Sequence, residues 1–515
     1  MVDSSYKLIP ASFTAIPSQQ RENSANIIVA TEISADLDVV GFVVGPDGDL
    51  PESLNMDRAA LGRAGFEAEA GQTLVLPQPT GPAFIVVGAG PVAKHTPAAL
   101  RDVAAAFARA AARFSQLGIT LGDTFVLPAE DLGQLVVEGV LLARYRYVEL
   151  QPTTKHIPLV SLDLVVAPEQ VDAVTAGVRT GEILARAANL ARDLANTPPG
   201  HLTATNLGDI ALQLGDEYGL GVEVFDKELI IAMGCGGLLG VNAGSVEEPR
   251  IIKLTYTPSV SPETASAPHL FLVGKGIMYD SGGISLKPSD PMHLAMKMDM
   301  AGAAAVLGAM TALKQLGCTT AVSAYLMCTD NMPSGLAMKL GDVLTIRGGT
   351  TVEVKNTDAE GRLVMSDALV LATEETPDAI VDIATLTGAA MMAFGTHTAA
   401  VLGNNQVLIE QAKTASANTD ESIWQLPLEH RYRPQLKSDI ADISNMGGKY
   451  AGATLAALFL NDFVADIPWA HLDIAGTMQA DADDSWRTQG ATGFGTRLLV
   501  DLALNFTPEK LAKAN

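Results

Sequence analysis

The chain has 515 residues and a formal net charge of −24, with 58 acidic residues against 34 basic ones. This length exceeds that of a single small core and predicts two domains. So acidic a surface repels DNA and anionic lipid, and we therefore expect neither a nucleic-acid nor a membrane partner.

The three cysteines and the apolar segments indicate a reducing compartment. Cys235, Cys318 and Cys328 show no CxxC spacing, so neither a disulfide framework nor a thiolate zinc site is indicated. Residues 1–7 lack the basic-then-apolar pattern of a signal peptide. The most apolar stretch, 379–402, contains Asp and several Thr, and is interpreted as a buried strand plus loop. We expect a cytoplasmic protein.

The first part of the chain predicts a small α/β domain. Short apolar runs bounded by turn residues predict strands at 26–30, 39–44, 72–76 and 83–88. Apolar residues at helical spacing predict helices over 98–117, 132–145 and 170–195. The last helix ends at an Asn-Thr-Pro-Pro-Gly stop, and we place the domain boundary within it, giving an N-terminal domain of residues 1–185.

The remainder, residues 186–515, predicts a larger α/β domain. Buried strands are predicted at 251–256, 270–273, 321–327, 379–384 and 469–474, with helices at 301–316 and 361–375. Apolar strands that alternate with helices are typical of parallel sheets. The predicted fold class is therefore α/β, with a smaller N-terminal α/β domain followed by a larger catalytic α/β domain that has a mainly parallel central sheet.

Three segments of this second domain carry charged residues near predicted strand ends or helix starts. A Gly-rich segment, 274–283, follows a predicted strand and holds Lys275 and Asp280. It lacks the spacing of a phosphate-binding loop, and taken alone it is a weak signal. Asp299 precedes an Ala-rich helix, where an N-cap is a ready explanation.

The third segment, 356–363, reads Asn-Thr-Asp-Ala-Glu-Gly-Arg-Leu and opens a largely apolar helix. Capping needs one acid, whereas Asp358, Glu360 and Arg362 place three charges where the core begins. With the two earlier segments, four carboxylates are set against Lys275, Lys287 and Arg362. Converging carboxylates raise one another's pKa unless cations intervene, and oxygen-rich sites bind Mg²⁺, Mn²⁺ or Zn²⁺. Two divalent ions would resolve the conflict.

The octapeptide at 356–363 resembles the signature of the leucyl (cytosol) aminopeptidase family. The segment 273–288 is similar to that family's first metal-binding loop. Further similar segments are 192–199, 385–389 and 470–476. The resemblance covers about residues 185–505, and no motif is recognised before residue 150.

The resemblance implies a role for each matching position. It implies five metal ligands, of which Asp280 and Glu360 bridge two Mn or Zn ions: Lys275, Asp280, Asp299, Asp358 and Glu360. It implies that Lys287 and Arg362 are the catalytic pair, with a bicarbonate near Arg362 as general base. It implies a side-chain pocket that is mostly apolar and should favour Leu or Met: Met296, Thr385, Gly388, Ala475 and Met478. It also implies a homohexamer that hydrolyses the N-terminal residue of short peptides.

General chemistry is consistent with these roles. Lys275 can bind a metal only as a neutral amine, which requires a strongly depressed pKa, and lysine permits such a shift. Lys287 can stabilise a developing oxyanion. The planar fork of Arg362 matches a bidentate carbonate.

Some positions depart from the family pattern. Met278 stands where threonine is usual, and Phe494 where an arginine is common. The segment from Lys287 to Asp299 is one residue longer and includes His293, which we expect in a solvent-facing loop. His471 is expected to be a hydrogen-bonded core histidine, and Asp473 could lie just outside the site.

Two other functions compete with the aminopeptidase. One is a catalytically silent structural or DNA-binding relative, against which all seven catalytic positions and the acidic charge argue. The other is a two-metal phosphoesterase, since the same chemistry could serve phosphate. Lys275 as a ligand and the octapeptide argue against it.

Overall fold

The computed structural model describes residues 9–10, 12–121, 124–259 and 267–509. Residues 1–7, to which the expectation about a signal peptide applies, lie outside the described residues. The chain forms two compact units. The N-terminal unit comprises Ile16–Asn189 together with Ala480–Gly490, and the catalytic unit comprises Leu190–Gln479, the residues from Ala491 and the segment ending at Ala15. A boundary near residue 185 between two continuous domains stays a prediction.

The N-terminal unit is built on a six-stranded sheet. Its strands are β1 (Asn26–Ala30), β2 (Val39–Val44), β3 (Thr73–Leu76), β4 (Ala83–Gly88), β5 (Gln116–Thr120) and β6 (Ser161–Val165). Its helices are α1 (Arg58–Arg63), α2 (Pro97–Ala110), α3 (Ala129–Arg144) and α4 (Val171–Asn196), the last of which runs on into the catalytic unit. The order is β1-β6-β5-β2-β4-β3, and only the β3–β4 pair is antiparallel.

Helix α2 shows how the sequence specifies this unit. The Thr96 side chain accepts a hydrogen bond from the third helical amide, and Pro97 pre-sets the first turn. Phe107 is fully buried, and its ring lies so close to Gly41 of β2 that a Cβ at Gly41 would be 2.6 Å from it. The predicted helix over 98–117 is wrong in its last turns, because Gln116–Thr120 forms a strand that pairs with two others. Local periodicity carries no information about such long-range pairing.

The catalytic unit holds most of the remaining elements. Its longer strands are β7 (Gly221–Phe225), β8 (Arg250–Tyr256), β9 (His269–Asp280), β10 (Ala321–Asn331), β13 (Ala379–Ala384), β14 (Ala399–Gly403), β15 (Ile423–Gln425) and β17 (Trp469–Asp473). Shorter ones are β11 (Val343–Thr345), β12 (Thr351–Glu353) and β16 (Ile443–Ser444), whereas β18 (Gln479–Ala480) and β19 (Gly490–Ala491) have one residue in each unit. Its helices are α5 (Ala204–Tyr218), α6 (Lys227–Met233), α7 (Gly236–Asn242), α8 (Pro291–Ala295), α9 (Ala301–Leu313), α10 (Gly361–Glu374), α11 (Gly388–Phe394), α12 (Gln406–Thr419), α13 (Gly452–Asn461) and α14 (Thr496–Asn505).

Eight strands form the central sheet of this unit in the order β15-β14-β17-β13-β9-β10-β8-β7. The four middle strands are mutually parallel, and antiparallel pairing is confined to the flanks. The predicted α/β class with a mainly parallel central sheet is confirmed. Because parallel strands end at one edge, β9, β10, β13 and β17 bring their last residues to the same side of the sheet.

Strand β9 corrects the interpretation of the Gly-rich segment. The predicted strand ended at residue 273, but β9 continues through Asp280, so Lys275 and Asp280 lie on a strand and not in a turn. A Cβ at Gly274 would be 2.7 Å from the Cα of Ala303 on α9, and one at Gly276 would be 2.7 Å from the carbonyl oxygen of Met327 on β10. These glycines therefore permit close packing of neighbouring backbone, which the sequence alone does not distinguish from a turn.

The apolar stretch 379–402 was interpreted as strand plus loop. It contains β13, helix α11 and the start of β14. Within the described residues, no helix combines the length and apolar character that crossing a membrane requires.

Candidate metal centre

Four carboxylates and two lysines meet at the carboxyl edge of the parallel strands. Lys275 extends from β9, and its Nζ lies 2.8 Å from Oδ1 of Asp299 and 2.8 Å from Oε1 of Glu360. It also donates to the carbonyl oxygen of Thr385 at 2.8 Å. Asp299 lies two residues before the start of α9, and Glu360 immediately precedes α10. One ammonium group thus joins two acids that lie 61 positions apart in the chain.

Lys287 links the other two acids. Its Nζ lies 2.8 Å from Oδ2 of Asp280 and 2.5 Å from Oδ1 of Asp358. Ligand oxygens of Asp280, Asp358 and Glu360 all lie within 4.8 Å of one another. The structure therefore brings together six of the predicted residues, the five proposed ligands and Lys287.

The ionisation of the acids reflects how crowded the cluster is. Burial and the neighbouring Glu360 raise the pKa of Asp280 to about 6, and burial raises the pKa of Asp299 well above its usual range. Burial opposes ionisation of Glu360 too, but Lys275 outweighs it and lowers that pKa. Two ammonium groups do not compensate four buried or half-buried carboxylates, so full ionisation requires additional positive charge.

The donor set fits divalent cations. Oδ2 of Asp299 is buried and has no hydrogen-bond partner among the described residues. Several carboxylate oxygens this close together form the kind of site that binds Mg²⁺, Mn²⁺ or Zn²⁺.

The acids around Lys275 determine its charge. Burial disfavours its charge, but Asp299, Glu360 and Asp280 raise its pKa above the usual value, so Lys275 is an ammonium group here. The depressed pKa expected of Lys275 as a metal ligand stays a prediction, because it applies to a site in which metal ions neutralise these carboxylates. Lys275 can bind a metal as a neutral amine only if metal ions neutralise the surrounding carboxylates in its place.

Arg362 lies apart from the ion pairs. It is on the first turn of α10, and its Nη1 donates to the carbonyl oxygen of Asn445 at 2.8 Å. Burial lowers its pKa to about 10, and its Nε has no hydrogen-bond partner among the described residues. A buried guanidinium with an unused donor can hold a small anion.

The predicted pocket residues surround one loop. The carboxylate of Asp473 accepts hydrogen bonds from the amide of Leu386, from the Thr387 hydroxyl at 2.6 Å and from the amide of Ala475. These bonds hold the segment from Thr385 to Gly388 beside Ala475. Asp473 therefore orders the loop that carries Thr385 and Gly388, two of the predicted pocket residues.

The two methionines of the predicted pocket are both buried. The carbonyl oxygen of Met296 accepts the amide of Asp299 at 3.2 Å, which places Met296 beside the acid cluster. The amide of Met478 donates to the carbonyl oxygen of Ile474 in the turn that follows β17.

The structure also shows positioning residues that sequence reasoning missed. Asn331, at the end of β10, donates from Nδ2 to Oδ1 of Asp280 at 2.8 Å and to the carbonyl oxygen of Thr357 at 2.9 Å. Asn445 donates to the carbonyl oxygen of Asn356 at 2.7 Å. The signal for Asn331 was its place beyond an apolar run, but only the parallel pairing of β10 with β9 puts it beside Asp280.

The structure gives the positions of two histidines and of one candidate helix cap. His293 lies on the short helix α8 and stacks on the ring of Tyr279 at 5.9 Å, so the expected solvent-facing loop position is wrong. His471 is fully buried and pairs through Nδ1 with Asp382 at 2.5 Å, as expected for a core histidine. Asp299 is not the N-cap of α9, a position that Met300 occupies.

An oxygen-rich acid cluster at the carboxyl edge of an α/β sheet is typical of metal-dependent hydrolases. Comparison with known proteins identifies which kind. Residues 189–500 match the catalytic domain of the cytosol aminopeptidase family, and residues 58–153 match that family's N-terminal domain. The chain belongs to the cytosol aminopeptidase family and is a peptide hydrolase of the aminopeptidase type. This family is metal-dependent.

Individual relatives match over most of the chain. A probable cytosol aminopeptidase of Alkaliphilus metalliredigens is 42% identical over 85% of this chain and 89% of its own length. One from Streptomyces avermitilis is 39% identical over 92% of this chain and 96% of its own length. The solved structure of the bottromycin maturation enzyme BotP in complex with Mn is 38% identical, has a TM-score of 0.82, and covers 91% of this chain and 99% of its own.

Proposed function

We propose that this protein removes the N-terminal residue from short peptides, preferably leucine or another apolar residue, by means of a water activated by two divalent ions. The convergence of four carboxylates and two lysines at one edge of the sheet carries the proposal. Two ions held there would polarise the scissile carbonyl and activate water. The proposed catalytic domain is residues 186–515, after an N-terminal domain of residues 1–185.

The proposed ligands are the residues of the acid cluster and the lysine between two of them. They are Lys275, Asp280, Asp299, Asp358 and Glu360, of which Asp280 and Glu360 would bridge the two ions. The proposed ions are Mn²⁺ or Zn²⁺. The short separation of Asp280, Asp358 and Glu360 supports a shared pair of ions, and a related structure contains Mn.

Two further residues are proposed to act on the substrate. Lys287 now pairs with Asp280 and Asp358, and with metal ions neutralising these acids it would donate to the developing oxyanion. Arg362 is proposed to hold bicarbonate as general base, which its unused Nε donor supports.

Selectivity is proposed to arise from the pocket of Met296, Thr385, Gly388, Ala475 and Met478. Both methionines are buried, and none of the five carries a charge. A charged side chain placed there would lose its hydration without a partner. We also propose a cytoplasmic homohexamer, consistent with relatives that are named cytosol aminopeptidases.

One assay separates this function from its competitors. The purified protein is incubated with Mn²⁺ and offered leucine p-nitroanilide, a phosphate monoester and duplex DNA. Hydrolysis of the anilide alone is the expected result. Phosphatase activity without peptidase activity would contradict the proposal, and a salt-sensitive gel shift would favour the DNA-binding alternative. Light scattering tests the assembly, which an active stable monomer would disprove.

A further inference from the structure

A cavity in the N-terminal unit has three arginine side chains in its lining. Its volume is about 110 Å³, several times what a single water needs. It is lined by the end of α2, the end of α3, the segment after α3 and one acid of the segment 480–490: Ala108, Arg109, Ala112, Ala143, Arg144, Arg146, His156 and Asp483. None of these residues belongs to the acid cluster of the catalytic unit.

Arg144 is the buried member of this lining, with 7% of its surface exposed. Three of its five N–H groups donate to the carbonyl oxygens of Ala111, Phe114 and Ile157. Carbonyls at a helix end offset part of a positive charge. Among the described residues, however, no carboxylate pairs with Arg144. A buried guanidinium is costly without a counter-charge, and two of its N–H donors remain available.

Asp483 is the one acidic residue of the lining, and its carboxylate forms ion pairs with two arginines. Its carboxylate lies 2.8 Å from Nη1 of Arg109 and also pairs with Arg146. Burial, with the nearby Arg144 and Arg146, lowers the pKa of His156, so that its imidazole is neutral at pH 7. Three guanidinium groups and one carboxylate leave the lining with two uncompensated positive charges.

We propose that this cavity binds a phosphate dianion, either free or as the phosphoryl group of a small phosphomonoester. A phosphoryl group carries about −1.5 to −2 charges at pH 7, which matches the excess charge of the lining. Planar guanidinium groups present paired donors to its oxygens. The three alanines leave no further polar group for a larger polar ligand.

The surroundings of the cavity argue against a nucleic acid as the ligand. Residues 1–185 contain 12 basic and 21 acidic residues, so the arginine-lined recess belongs to a domain with a net negative charge. A phosphate backbone needs a continuous basic track.

Calorimetric titration of the metal-loaded protein with inorganic phosphate tests the proposal, with Arg146→Gln as the main variant. Arg146 is partly exposed and Asp483 keeps its pair with Arg109, so folding should be retained. We expect phosphate affinity to fall at least about tenfold, the loss of a charge-assisted bond. Arg113→Gln, at an exposed position of the same unit, removes an equal charge and should leave phosphate affinity unchanged.

Two further variants separate this site from the catalytic centre and from mere structural damage. Arg362→Ala, in the catalytic unit, should retain the phosphate binding that Arg146→Gln loses. Asp483→Asn removes the competing carboxylate and should tighten phosphate binding, because the excess charge rises. Wild-type protein that binds no phosphate, or equal affinity in the wild type and Arg146→Gln, overturns the proposal. Weaker binding in Asp483→Asn overturns the charge argument that carries it.

The source of the phosphoryl group is distinguished by parallel titrations with inorganic phosphate and glycerol phosphate. Tighter binding of glycerol phosphate, lost in Arg146→Gln, identifies a phosphomonoester as the ligand, and tighter binding of inorganic phosphate identifies the free ion. Duplex DNA is the third titrant. Binding of DNA that depends on Arg146, without binding of either small phosphate, would overturn the proposal.

Discussion

Asn331 donates a hydrogen bond from Nδ2 to Oδ1 of Asp280 at 2.8 Å, while the same amide group donates to the carbonyl oxygen of Thr357. One side chain thus ties a proposed bridging ligand on β9 to the loop that carries Asp358. Groups that orient metal ligands fix the geometry of those ligands, and their loss lowers metal affinity. Asn331 is therefore a positioning residue whose removal should loosen two segments of the centre together.

Substitution of Asn331 by Ala is expected to weaken metal binding by about tenfold to a hundredfold, since Asp280 loses its orienting donor. Metal affinity is measured by competition with a chromogenic chelator, separately from activity. Asn242→Ala is the control, because Asn242 is equally buried and bonds to Glu247 and Thr329. Equal metal affinity in the wild type and Asn331→Ala would show that Asn331 has no positioning role.

Removal of metal ions should abolish aminopeptidase activity, and Mn²⁺ or Zn²⁺ should restore it. The acids cannot all ionise beside two lysines, so metal ions complete the charge balance. Glu360→Gln removes one negative charge that now pairs with Lys275 and should lower metal content and rate together. Metal content is measured by elemental analysis. Full activity in a verified metal-free preparation would refute the proposed mechanism.

Lys287→Ala and Arg362→Ala should keep their metal ions but lose turnover by about a hundredfold or more, the scale of a lost oxyanion donor. Elemental analysis and kcat are measured on the same samples. Lys413→Ala is the matched control, since Lys413 forms an ion pair with Glu410 on the surface of α12. A variant that loses its metal ions shows that its residue has been assigned the wrong role.

Selectivity should favour N-terminal Leu or Met over Asp or Glu by at least about tenfold in kcat/KM. The reason is the uncharged lining of the proposed pocket, in which Met296 and Met478 are buried. Met296→Lys should reduce this ratio, because the introduced lysine can pair with the acidic side chain of an N-terminal Asp or Glu. Leu229→Lys, on the exposed face of α6, should leave it unchanged. A wild-type preference for acidic N-termini would contradict the mapping of the pocket.

The buried pair of His471 and Asp382 should make stability depend on pH. Burial disfavours the charge of His471, but Asp382 outweighs it and raises the pKa above the ordinary histidine value of 6.5. A raised folded-state pKa means that this contribution is fully present below about pH 6.5 and is lost as pH rises through the folded value. The free energy of unfolding, measured in urea, should therefore fall toward alkaline pH.

His471→Gln provides the comparison for that titration. The variant keeps a hydrogen-bonding group beside Asp382 but cannot carry the charge, so this part of the pH dependence should disappear. His269→Gln is the control, because burial lowers the pKa of His269 and its loss should leave the alkaline slope in place. Identical slopes in the wild type and His471→Gln would exclude the pair as their source.

The sequence by itself determined the α/β class, the family and the residues that meet at the acid cluster. These features are local: apolar periodicity identifies strands and helices, and Asp358, Glu360 and Arg362 stand within five residues at the start of an apolar helix. Lys275, Asp280 and Asp299 were candidates from their places near predicted strand ends and helix starts, and the resemblance assigned them roles as metal ligands. Their roles as ligands stay predictions, but their convergence is now seen in the structure.

Only the tertiary structure decided which residues become neighbours across the chain. Gly274 and Gly276 proved to be points of close packing within a long strand, because a helix and a neighbouring strand approach them there. Asn331 reaches Asp280 through the register of two parallel strands. Arg109 meets Asp483 across 374 positions of sequence. Hydrogen-bonded strand pairing and long-range ion pairs depend on the fold as a whole, so no local period or motif encodes them.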